Sequence, residues 1–227
     1  MIDIQAALFD IDGTLTRGDE MWAASLIKSP DVSRLRKAWL YAGALPHHLL
    51  SRAEIVSQAD FRDRWVRLLA WLMTGWSAAQ VQAHYDRIML ETLIPTLRAD
   101  VVEILKQYKA QGHCVVLVST MFSGVVEGVA AALGADAGLG SRVEMKDGRC
   151  TGRIVGQPCS GVRKIDFSRE YLAQHLPGIS LAACAAYADS RSDIPFLNGV
   201  GHPVAVYPDD AMRAAAQQHG WDIFSGN

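Results

Sequence analysis

The apolar and polar positions of this 227-residue chain have two textures. The first apolar run, "AALFDID", is short and ends in a turn, which predicts one buried strand. From about residue 18 to 95 no strand-like alternation follows. Leu35, Trp39, Ala42 and Leu45 keep helical spacing, as do Phe61, Trp65, Leu68, Leu69 and Leu72. Pro30, Gly43, Pro46 and "TGWS" punctuate this stretch. Ser77 is placed to cap a helix running through Tyr85 and Met89, which Pro95 closes.

Beyond Pro95 the pattern alternates. "ADVVEILKQYKAQGH" predicts an amphipathic helix ending near Gly112, and "CVVLVST" a strand buried on both faces. "SGVVEGVAAALGAD" reads as a helix. "RVEMKDGRCTGRIVG" alternates about Asp147-Gly148 and predicts a hairpin. "KIDFSREYLAQHL" is a helix, "LAACAAYADS" and "HPVAVYP" are strands, and "DDAMRAAAQQHG" is a last helix. This alternation predicts an α/β fold, a parallel sheet with helices on both faces. Residues 1–17 and 96–227 form its core, and 18–95 an inserted all-helical subdomain.

Composition narrows the picture only a little. Half the residues are hydrophobic and a fifth are charged, as in ordinary globular proteins. The formal net charge of −2 directs no basic field at nucleic acid or an anionic membrane. Cys114, Cys150, Cys159 and Cys184 lack any C-x-x-C spacing. With no secretory pattern at the N-terminus, they read as reduced thiols of a cytoplasmic protein, packed rather than reactive. No uncharged apolar run reaches the length of a membrane span.

Ligands of open α/β sheets bind beyond the carboxyl ends of the strands. The residues there are Asp10 and Asp12 after the first strand, Ser119 and Thr120 after "VVLV", and Asp189 and Asp193 after "AACAAYA". Lys164 lies at the start of an intervening helix. Several carboxylates without a histidine suit a hard cation, Mg²⁺ before zinc. A lysine, a hydroxyl and free backbone N–H groups suit a phosphate. Residues i and i+2 of an extended segment point the same way, so Asp10 and Asp12 can face one ligand, one attacking phosphorus and the other moving a proton. Gly13 permits the turn that follows.

"FDIDGTLT", "VVLVST", Lys164 and "YADSRSD" resemble, in order, the four motifs of the haloacid dehalogenase-like hydrolases. The hairpin and the C-terminal stretch resemble the phosphoserine-phosphatase-like branch, which carries a helical cap between its first two motifs. The resemblance implies a Rossmann-like core and a Mg²⁺-dependent phosphatase acting on a small-molecule phosphate. It implies Asp10 as nucleophile and Asp12 as general acid/base. Mg²⁺ would be held by Asp10, the Asp12 carbonyl and Asp189, with Asp193 near. Ser119 and the Thr120 N–H would hold phosphate oxygens, and Lys164 would bridge Asp10 and the phosphate. Phosphotransfer to an alcohol, or a silent binding module on the same fold, are the alternatives.

Two departures bear on the substrate. Thr120-Met121-Phe122 replaces the Gly-Gly-Phe that phosphoserine phosphatases often carry. An acid and an arginine that hold serine in those enzymes have only loose counterparts, Asp19 or Glu20, and one of Arg62, Arg64 and Arg67. Five of six tryptophans (Trp22, Trp39, Trp65, Trp71 and Trp76) lie in the insert. Helical spacing favours them as the core of a small bundle over an aromatic cage for a quaternary ammonium or a slot for a lipid-like phosphate. The adjacent pair His47-His48 reads as surface. Oligomeric state is not encoded in any pattern along the chain.

Overall fold

A computed structural model describes residues 4–18, 21–52 and 58–226, with the backbone alone of 44–52 and 58–60. Its main sheet has six strands, β1 (Ala6–Phe9), β2 (Cys114–Phe122), β3 (Ala137–Ser141), β6 (Cys184–Ala188), β7 (His202–Val206) and β8 (Asp222–Phe224). They lie in the order β3-β2-β1-β6-β7-β8. Every pairing in it is parallel. The order turns back at β1, whose two neighbours are β2 and β6. Such a reversal opens a crevice at the carboxyl edge.

Both faces of the sheet are buried, which is why its strands read as apolar runs rather than alternating ones. Ala7, Phe9, Val115 and Leu117 belong to one core, and Ala6, Leu8, Val116, Val118 and Ala186 to a second on the opposite face. Helices α5 (Ala99–Ala110), α6 (Ser123–Leu133), α7 (Arg163–His175), α8 (Ile194–Asn198) and α9 (Asp210–His219) connect the strands. The hairpin of β4 (Val143–Lys146) and β5 (Arg149–Ile154) turns at Asp147 and Gly148, both with positive φ, as a tight hairpin turn of this kind requires.

Among the described residues, four α-helices lie between β1 and α5: α1 (Met21–Lys28), α2 (Arg34–Arg52), α3 (Gln58–Leu72) and α4 (Ala78–Arg87). Ser77 caps α4 through a reciprocal capping box with Gln80, as its position in the sequence predicts. Regular helix stops at Arg87, and wider and tighter turns carry the chain past Pro95. The outgoing and returning chain lie side by side. Thr16 pairs with Leu97, Arg17 N–H donates to Thr96 O at 2.8 Å, and Arg98 N–H to Leu15 O at 2.8 Å.

Several expectations change. The strands β3, "AGLGS", and β8 were not evident in the sequence. Glycine weakens a strand, but Gly138 is needed here, because a Cβ on it would stand 2.6 Å from the Val126 backbone. Strand β2 runs two residues beyond the expected "CVVLVST", to Phe122, and keeps Ser119 within extended chain. Leu35, Trp39 and Ala42 share helical spacing yet are exposed, so that spacing marks a helix without marking its core. Trp22 and Trp76 are buried as expected, while Trp71 is partly open. Asp19, Glu20 and the side chains of Leu45, His47 and His48 fall outside what is described.

Candidate active site

Strand β1 ends at Phe9, and the chain passes Asp10 in extended conformation before Gly13 turns it at φ +78°. A Cβ on Gly13 would lie 2.1 Å from an Asp189 carboxylate oxygen. Only glycine satisfies both the left-handed backbone and that approach. Thr14, one residue on, is fully buried and donates its hydroxyl to Asp189 Oδ1 at 2.9 Å, with Asp10 Oδ2 at 3.4 Å. Thr14 thus ties the first acid segment to the last.

Lys164 sits in the first turn of α7, 2 % exposed, and its ammonium lies 2.7 Å from both Asp10 Oδ1 and Asp193 Oδ1. The Phe196 ring lies 5.6 Å from the same nitrogen. Carboxylate oxygens of Asp10, Asp189 and Asp193 all lie within 4.8 Å of one another. Two buried acids therefore flank one buried ammonium, with the half-buried Asp189 beside them. Burial raises the Asp10 carboxyl to about 6, Asp193 adding to the rise and Lys164 opposing it. Burial also raises Asp189 to about 8, with Asp10 and Asp193 adding to it and the Thr14 hydroxyl opposing it. Burial alone would lower the Lys164 ammonium, but the two carboxylates reverse this and hold it above its ordinary value. Excess negative charge on a set of buried carboxylate oxygens, without imidazole or thiol donors, fits a hard divalent cation such as Mg²⁺.

A cavity of about 30 Å³ opens on this cluster. Asp10, Asp12, Ser119, Thr120, Lys164, Ser190 and Asp193 line it from the sheet edge. Ser119 is 2 % exposed and its oxygen accepts from Met121 N–H at 3.3 Å. Thr120 is held through its carbonyl, which accepts from the Ser141 hydroxyl at 2.8 Å. All seven residues singled out from the sequence thus converge: six line the cavity, and Asp189 stands in the acid cluster beside it.

The opposite wall comes from α1 and α3, as Trp22, Arg62, Trp65 and Val66. Arg62 is therefore the arginine of its trio that faces the site. Arg67 instead donates to Gly156 O and Gln157 Oε1, and Arg64 is exposed. Asp63, between these wall residues, binds the Ser160 hydroxyl and the Arg163 guanidinium just ahead of Lys164. No motif advertises this tie, which joins positions 97 and 100 residues apart.

Residues 7–198 match the family model of the haloacid dehalogenase-like hydrolases. The chain belongs to that family. A Mycobacterium tuberculosis protein named "probable phosphatase" is 32 % identical over 223 residues, covering 97 % of this chain and 75 % of the relative. A histidinol-phosphatase of Neisseria meningitidis is 25 % identical over 234 residues, covering 96 % of this chain and 97 % of the relative. A solved phosphoserine phosphatase, an analogue of the phospho-aspartyl intermediate, shares the fold with TM-score 0.61 at 22 % identity, over 97 % of this chain and 92 % of that one.

None of the four cysteines of this hydrolase lines the cavity. Burial pushes Cys159 up to about 12 and Cys114 and Cys184 to about 11, which keeps them protonated at neutral pH. All four cysteines are free.

Proposed function

We propose that this hydrolase is a Mg²⁺-dependent phosphatase that cleaves small-molecule phosphate monoesters by way of a phosphorylated Asp10. The observation that carries the reading is the Asp10 carboxylate, buried against the Lys164 ammonium at 2.7 Å and facing a cavity shared with Asp12, Ser119 and Thr120. An Asp10 oxygen attacks phosphorus as the bond to the ester oxygen breaks, and Asp12 gives that oxygen its proton. Asp12 then takes a proton from water, whose oxygen attacks phosphorus, releasing phosphate and restoring Asp10. Lys164 offsets the charge that repels the anionic nucleophile from an anionic ester. The Ser119 hydroxyl and the Thr120 N–H hold phosphate oxygens.

Asp10, the Asp12 carbonyl and Asp189 would hold Mg²⁺, with Asp193 behind them and fixing Lys164. When bound, the ion supplies positive charge to the nucleophile and the phosphoryl oxygens. Residues 18–95 act as a cap. The pairing of Thr16 with Leu97 at its base supports that division, as does the placement of Trp22, Arg62, Trp65 and Val66 over the site. A cavity of about 30 Å³ has room for little more than water, so the cap must shift to admit an ester. The Arg62 guanidinium and Trp65 Nε1, without hydrogen-bond partners among the described residues, are the donors available to a leaving group.

Release of phosphate from p-nitrophenyl phosphate, with and without EDTA, tests the reading for wild type and Asp10→Asn. Mg²⁺-dependent turnover in the wild type and none in the variant is expected. Equal rates would remove Asp10 as nucleophile.

A further inference from the structure

Helix α2 turns an apolar face to solvent. Leu35, Ala38, Trp39 and Ala42 are all exposed, Leu35 by 69 % and Trp39 by 64 %. Their spacing of three and four puts them on one stripe. The other side of the helix is where α2 meets its neighbours. Leu40 is fully buried, and the Arg36 guanidinium donates to Leu72 O at 3.1 Å and Thr74 O at 2.8 Å. A surface helix ordinarily places its charged residues where this one places leucine and tryptophan.

The charge of the region is equally one-sided. Helix α2 contains Arg34, Arg36, Lys37 and Arg52 and no acid in its 19 residues. The stretch 21–72 has eight basic and four acidic residues, net +4, against −2 for the whole chain, which leaves −6 elsewhere. The overall charge thus conceals a basic, apolar-faced helix on an acidic body.

We propose that α2 docks this protein on an anionic lipid surface, lying in the plane of the interface with the Leu35–Trp39–Ala42 stripe against the acyl boundary. Three features match that occupant. Tryptophan favours the headgroup level. Arg34, exposed at the start of the helix, meets anionic headgroups, its long stem letting the charge reach them while the stripe is buried. A helix of this length with an apolar face and only basic charges has the make-up of interfacial anchors. A second copy of the chain matches less well, since two α2 helices face to face would oppose basic residues with no acid on either. None of the described helices is long and apolar enough to cross a membrane, so the contact is docking and not insertion.

Co-sedimentation tests this with vesicles of phosphatidylcholine alone and with about one third phosphatidylglycerol, at low and raised NaCl. The wild type sediments with the anionic vesicles, stays in solution with the neutral ones, and is released by salt. Arg34→Gln weakens partitioning roughly fivefold. The double variant Leu35→Ser/Trp39→Ser weakens it at least about tenfold. Both variants hydrolyse a soluble phosphate ester at the wild-type rate, which shows that they fold. The proposal is overturned if the wild type ignores anionic vesicles, or if the double variant sediments as the wild type does. It is also overturned if light scattering finds a lipid-independent wild-type dimer that the double variant converts to monomer, because the stripe is then an interface between copies.

Discussion

Gly13 and Thr14 show how little of the site is left to chance at the level of single residues. Gly13→Ala must hold a left-handed φ and place a methyl 2.1 Å from the Asp189 carboxylate, so it is expected to cost at least about 2 kcal/mol in thermal unfolding and most of the activity. The Asp189 carboxyl is raised to about 8 by burial and then by Asp10 and Asp193. Asp189→Asn relieves that crowding. In metal-free buffer its melting temperature is expected to rise by roughly 2–5 °C, while the rise that Mg²⁺ produces in the wild type is lost. A variant that melts lower than wild type without metal, or still responds to Mg²⁺, would remove Asp189 from the proposed ion site. The motif residues themselves were legible in the sequence, because four short motifs follow one another in order along the chain. Thr14 was not, because its hydroxyl finds Asp189 175 positions away.

Helix α3 is the element on which the two halves of the site depend. It carries Arg62, Trp65 and Val66 to the cavity, and between them Asp63 ties it to Ser160 and Arg163, next to Lys164. One acid thereby ties the α3 wall of the cavity to the start of α7, which carries Lys164. Asp63→Asn keeps the shape but loses the ion pair. It is expected to raise KM several-fold while kcat changes less than twofold, because the α3 wall loosens and the acid cluster does not. A fall in kcat alone would show that the contact positions Lys164 instead. The α3–α4 turn is anchored separately. Gly75 N–H donates to Cys150 O at 2.7 Å and Cys150 N–H to Trp76 O at 2.8 Å, which fastens the helical segment to the β4–β5 hairpin. Helical periodicity revealed α3 but not its orientation, since Arg62, Arg64 and Arg67 are equivalent to any pattern until the helix has a neighbour.

Across the whole molecule, stability and pH are linked through a histidine outside the site. His84 is 2 % exposed, stands edge-on to Trp76 at 5.5 Å, and both ring nitrogens lack hydrogen-bond partners among the described residues. Burial lowers it to about 4, Arg87 adding to the effect and Asp31 opposing it. The unfolded chain takes up a proton near pH 6.5 and the folded one only near 4, so stability falls as pH drops through that window. Chemical denaturation of wild type and His84→Leu at pH 7.5 and 4.5 is expected to show the variant gaining about 2 kcal/mol relative to wild type at the lower pH, after allowance for solvent screening. An unchanged difference between the two proteins would show that His84 keeps its ordinary affinity for protons.

The alternation of strands and helices after Pro95, the four motifs and the nature of the donor set follow from the sequence alone. Each is carried by neighbouring residues, whose spacing and chemistry survive without a fold. Only the tertiary structure decided which arginine faces the site, that Lys164 bridges Asp10 and Asp193, and that the glycine-bearing "AGLGS" is a strand. It also decided that Trp39 faces solvent while Trp22 is buried. Those outcomes depend on which surfaces meet, and periodicity states that a helix has faces without stating what each one touches.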